Sequence, residues 1–93
     1  MKLDSELGRA LTDLERLGKY EQIERELEKA EKQHPAWPPN IFEQVAIMNE
    51  EAGEVTKAVL HYKREGGSLA DIKKELIQTA AMCMRMLQNL TSE

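Results

Sequence analysis

Residues 41–64 read IFEQVAIMNEEAGEVTKAVLHYKR, and residues 69–90 read LADIKKELIQTAAMCMRMLQNL. The spacing of apolar side chains in these two stretches decides the fold. In the first, Ile41, Val45, Met48, Ala52, Val55, Val59 and Tyr62 recur every three or four positions, the period of one helix face. In the second, Leu69, Ile72, Leu76, Ala80, Cys83, Leu87 and Leu90 do the same, with Ile77 and Met84 widening the stripe. These stripes are the expected core faces. Gly66-Gly67 separates the two helices, and Ser68-Leu69-Ala70-Asp71 resembles a capping box with Asp in place of the usual Glu or Gln.

Upstream lies His34-Pro35-Ala36-Trp37-Pro38-Pro39-Asn40. Its prolines forbid a continuing helix, and Asn40 suits the N-cap of the helix that follows. Before this loop, Leu3, Leu7, Ala10, Leu11 and Leu14 mark one helix face. Tyr20, Ile23, Leu27 and Ala30 mark another on nearly the opposite side, and Gly18 sits where the phase changes. That reads as two helices, or as one helix sharply kinked at Leu17–Lys19. The expected fold is therefore all-α: a single domain over 1–93, built as an antiparallel bundle of four helices. Region 1–33 is helical, 34–40 is a proline-rich loop, and 41–90 is a helix pair.

The chain has 93 residues and a net charge of −4, with acidic and basic residues interspersed. No basic stripe offers itself to a nucleic-acid backbone, so no nucleic-acid partner is expected. No window approaches the ~20 apolar residues that span a bilayer, so no membrane partner is expected either. One cysteine, Cys83, suits a reducing compartment. Met1–Glu6 carries no apolar stretch of signal-peptide length. These features lead to the expectation of a cytoplasmic protein. Cys83 is expected to be an inert buried thiol, and Met82, Met84 and Met86 to be core filler. So short a chain buries a smaller fraction of its surface than a larger domain does, and self-association as a dimer or tetramer is expected.

The acidic residues carry the chemistry. Glu51 falls about 70° from the centre of its stripe, between Val55 and Tyr62 on one side and Ile47 and Ala58 on the other. Glu75 lies between Met82 and Met86 on its own helix. Glu54 is one turn from Glu51 and further toward water, and Glu43 and Glu50 are on the solvated side. Glu-x-x-Glu is common on solvated helices, so the inward wheel positions single these residues out. Burying a carboxylate without compensation is costly, and no lysine or arginine occupies the inward positions beside Glu51 or Glu75. Converging carboxylates without cations point to a hard divalent ion, Mg²⁺ or Mn²⁺.

At these residues the chain resembles the MazG-like branch of the all-α nucleoside triphosphate pyrophosphatases. That family carries Glu-Glu-x-x-Glu on one helix and Glu-x-x-Asp on a later one. Here the first motif is Glu50-Glu51-Ala52-Gly53-Glu54, and the second is Glu75-Leu76-Ile77-Gln78, with Gln78 in the place of Asp. The loop His34–Pro38 also resembles the segment before the motif in small phage and prokaryotic members. The resemblance spans roughly His34 to Leu90.

It implies hydrolysis of a (deoxy)nucleoside triphosphate to the monophosphate and pyrophosphate. Glu51, Glu54, Glu75 and the neutral Gln78 would ligate Mg²⁺, or Mn²⁺, with Glu50 as an additional or supporting ligand. Lys57, Lys63, Arg64, Lys73, Lys74 and Arg85 are candidates to hold phosphate oxygens, although each is more commonly a plain surface charge. Trp37 is placed to stack a nucleobase and His34 to hydrogen-bond one, but packing the proline loop onto the bundle is the commoner role for such a tryptophan. His61, near Glu54 on the wheel, is expected to be a surface histidine. The alternative to an enzyme is a helical nucleotide- or protein-binding module that keeps the fold without the reaction.

Overall fold

The computed structural model describes the backbone of residues 2–90 and the side chains of residues 5–90. It contains three helices: α1 (Lys2–Gln33), α2 (Ile41–Arg64) and α3 (Leu69–Asn89). Among the described residues there is no strand. The expected division of the first region is thus corrected, since α1 runs unbroken through Gly18. A glycine in a helix interior costs about 1 kcal/mol relative to alanine, which does not end a helix when residues on both sides are helix formers.

The change of apolar phase along α1 has a different meaning. Its second half places Leu27 in the core and Ile23 and Ala30 at its margin. Its first half leaves Leu7, Leu11, Leu14 and Leu17 more than half exposed. The side chain of Leu3, expected on the same face, lies outside the described residues.

Helix α3 is central. Helices α1 and α2 each pack on it and not on each other. Asn40 caps α2, its Oδ1 accepting from the amides of Phe42 at 2.8 Å and Glu43 at 3.3 Å. Ser68 and Asp71 form the expected capping box at the start of α3. Between the two helices Gly66 adopts φ +76°, a left-handed conformation that glycine alone enters without cost.

The molecule is only 23 Å through its shortest dimension, about two helix diameters. Accordingly the apolar core is small: Leu27, Ala58 and Ala81 are its buried members. The predicted core stripes are also corrected. On α2 the side turned to α3 carries Gln44, Ile47, Met48, Glu51, Val55 and Ala58. Ile41, Val45, Ala52, Val59 and Tyr62 are exposed. On α3, Leu69, Leu76, Cys83, Leu87 and Leu90 are exposed in the same way, so Cys83 is not a buried thiol. Met84 is exposed too, and only Met82 and Met86 are half-buried as filler.

Candidate active site

A cleft of about 360 Å³ opens where the last turns of α1, the proline loop, α2 and α3 come together. Its volume lies within the range of small-molecule sites. Two polar residues buried in the single chain shape its walls. Gln44, 3% exposed, donates from Nε2 to the carbonyls of Pro38 at 2.9 Å and Pro39 at 3.4 Å, tying the loop to α2. Arg85, 4% exposed, donates to the carbonyls of Ala30 at 3.5 Å and of His34. Its guanidinium also lies 4.9 Å from the centre of the Trp37 ring.

These contacts explain how a charge is buried with no carboxylate beside it. The last carbonyls of α1 form the negative end of that helix, and they accept from the guanidinium. Arg85 is therefore not the plain surface charge that such a residue more commonly is. It clamps α1 and the loop onto α3 while lining the cleft.

Of the residues singled out in the sequence, Glu51, Gln78, Trp37, His34 and Arg85 line this cleft. Trp37 is half-buried and both packs the loop and offers a wall of the cleft, and its Nε1 is buried without an acceptor. Glu50, Glu54 and Glu75 are not among the lining residues. Glu50 and Glu54 are exposed, as their wheel positions predicted, and Glu75 is half-buried at the margin, also as predicted. Lys57 lies elsewhere, in a shallow depression on the outer side of α2 beside Gly53 and His61. His61 is a surface histidine, 3.0 Å from the carboxylate of Glu65. Lys74 is on the side of α3 that faces α1, away from the cleft.

One acid of the cleft escaped the sequence reading. Glu26, from α1, lines it together with Lys29. Glu26 adjoins the buried Leu27 and lies one turn from Ala30, so the same wheel test that picked out Glu51 would have found it.

Glu51 is the electrostatic centre of this arrangement. Burial pushes its pKa above the ordinary carboxylate range, and the charges of Glu75, Glu50, Glu54 and Glu26 push it further in the same direction. Those carboxylates come from all three helices. No cation offsets them at Glu51. The donor set is therefore all-oxygen, negatively charged and under mutual repulsion, which fits a hard dication in kind. Its arrangement is open: among the described residues no three His, Cys, Asp or Glu side chains are gathered as a metal-holding group.

Among the described residues no helix is long and apolar enough to cross a membrane. No protein-family model matches this chain, and no curated protein and no solved structure matches it either.

Proposed function

We propose that the chain is a nucleoside triphosphate pyrophosphohydrolase of the MazG-like kind, working in the cytoplasm with Mg²⁺ or Mn²⁺. The observation that carries this reading is Glu51, half-buried at a ligand-sized cleft, its proton affinity raised first by burial and then by carboxylates of three helices. Such perturbed groups concentrate at functional sites. In this reading Glu51, Glu54 and Glu75 would hold the ion, the amide oxygen of Gln78 would add a neutral donor, and Glu50 would support the group. When bound, such an ion would supply neutralisation of phosphate oxygens and acidification of water. Trp37 offers its ring to the base, and Arg85 keeps that ring and the α1 terminus in place. A water oxygen bonds to the α-phosphorus as the bond to the α–β bridging oxygen breaks. Pyrophosphate leaves, and a carboxylate of the group takes the water's proton.

The test is a panel of NTPs and dNTPs with Mg²⁺ or Mn²⁺ and detection of released pyrophosphate. Turnover of at least one nucleotide is expected, with Glu51→Gln and Glu75→Gln each abolishing it. Activity indifferent to both substitutions overturns the assignment. A second reading, nucleotide binding without turnover, is favoured by one observation: the cleft presents Gln78 where the resembled motif has an acid. It predicts thermal stabilisation by metal and nucleotide with no pyrophosphate formed.

The same proposal includes self-association. Much of the apolar stripe on α2, and of the one on α3, is exposed in the single chain. Contiguous apolar surface of this kind marks an interface. A second copy of the chain is the occupant that the thin core calls for, since two such faces pressed together make one bundle core.

A further inference from the structure

A second concavity lies between α1 and α3, on the flank of the acidic cleft, with a volume of about 560 Å³. Lys19, Arg25 and Lys29 of α1 and Lys73 and Lys74 of α3 line it. Five of the chain's 13 lysine and arginine residues thus face one trough in a molecule whose net charge is −4. Against them the trough holds one acid, Glu26.

Helical neighbours offer these cations ready partners, Glu21 and Glu28 to Arg25 and Asp71 to Lys74. None of the pairs forms. Among the described residues the ion pair present is His61–Glu65, on the far side of α2. Asp71 is instead engaged at the capping box with Ser68. The floor includes Ala70, in the first turn of α3, where the positive end of the helix adds to the field.

We infer that this trough between α1 and α3 binds a small oligophosphate anion through Lys19, Arg25, Lys29, Lys73 and Lys74. The chemistry selects that class. Like charges on two packed helices repel one another unless an anion bridges them, and several phosphoryl groups in a row match cations spread over both walls. All five side chains are exposed and long, and all five line the one trough. An extended single-stranded nucleic acid fits less well. The lining has no aromatic residue on which bases stack, and the trough ends at the acidic cleft, where Glu26 and Lys29 border both. This site does not rest on the hydrolase reading. It reassigns Lys74 from the acidic cleft to a separate anion site.

The test is calorimetric titration of the full chain with inorganic triphosphate at low ionic strength, with chelator present to remove divalent ions. Saturable binding is expected, weakening as salt is added. Lys73→Gln/Lys74→Gln should weaken it about tenfold or more, as should Lys29→Gln with Arg25→Gln. Arg9→Gln/Arg16→Gln, which removes two cations of α1 outside the trough, should leave it within about twofold. Glu51→Gln should bind as the parent does, which separates this site from the proposed reaction. Circular dichroism of each variant excludes loss of fold as the cause. Absence of saturation, or equal weakening by the Arg9/Arg16 pair, overturns the proposal. A short single-stranded oligonucleotide competing more tightly than triphosphate overturns the choice of ligand.

Discussion

Two side chains set the character of the cleft. Glu51 keeps its proton to higher pH in the folded chain than in the unfolded one, first through burial and then through Glu75 and its other acidic neighbours. Within that window the folded state binds more protons, so this residue's contribution to stability falls as pH rises and is recovered on acidification. Glu51→Gln should remove that slope. Melting curves of parent and variant should converge near pH 4–5, roughly the ordinary carboxylate range, and separate toward neutral pH with the variant higher. Mg²⁺ should raise the parent's melting temperature at neutral pH and leave the variant's nearly unchanged. Parallel pH curves would show that Glu51 is solvated after all.

Arg85 acts by another route, through carbonyls of α1 and the face of Trp37. Arg85→Ala leaves these acceptors unpaired and opens a hole, at a cost of about 2–4 kcal/mol in urea unfolding. A loss under about 0.5 kcal/mol, typical of a surface site, would contradict the burial. The sequence wheel turned Glu51 inward because Val55, Ile47 and Ala58 flank it on α2, and those neighbours are buried or half-buried with it. It misplaced Arg85 because the partners of that residue are main-chain carbonyls more than fifty positions away, which no side-chain pattern announces.

At the level of elements, the turn between α2 and α3 shows what local signals do well. Gly66, Gly67, Ser68 and Asp71 predicted a stop and a start, and both occur there because caps are made by residues within a few positions of one another. Gly67 is required for a reason the sequence does not display. A Cβ there would stand 2.5 Å from the His61 ring and 3.1 Å from the Tyr62 amide nitrogen. Gly67→Ala should destabilise the chain by about 1–2 kcal/mol, and His61→Ala in the same background should restore part of it, by relieving the ring contact but not the backbone one. Thermal melts of the two variants decide this, and additive losses would exclude the steric cause.

The opposite case is Gly18. A glycine beside a phase change is equally consistent with a helix stop and with a continuous helix whose halves have different neighbours. Periodicity reports which face is apolar and is silent on what covers it, so α1 was legible as helical and illegible as one piece.

That ambiguity returns for the molecule as a whole. The stripes on α2 and α3 have the period and composition of core faces, yet in the single chain much of each is exposed. Leu76 is 51% and Leu87 66% accessible, while the faces turned inward carry Glu51, Glu75, Gln78 and Arg85. Both observations agree if the apolar sides meet their counterparts on a second copy and the polar sides form a site within each copy. Burying apolar surface stabilises by about 25 cal/mol per Å², so a contact of standard size, ~800 Å² per partner, outweighs what three small buried residues contribute within one chain. Fold and assembly are then coupled, and melting temperature should rise with protein concentration.

Val59→Glu and Leu76→Glu each put a charge into the proposed seam, where like charges meet across a two-fold axis. Sedimentation equilibrium should find a dimer or tetramer for the parent at micromolar concentration, shifted toward monomer in each variant, with a lower melting temperature. A parent that sediments as a monomer at that concentration, with concentration-independent melting, would mean that these apolar faces are simply solvated.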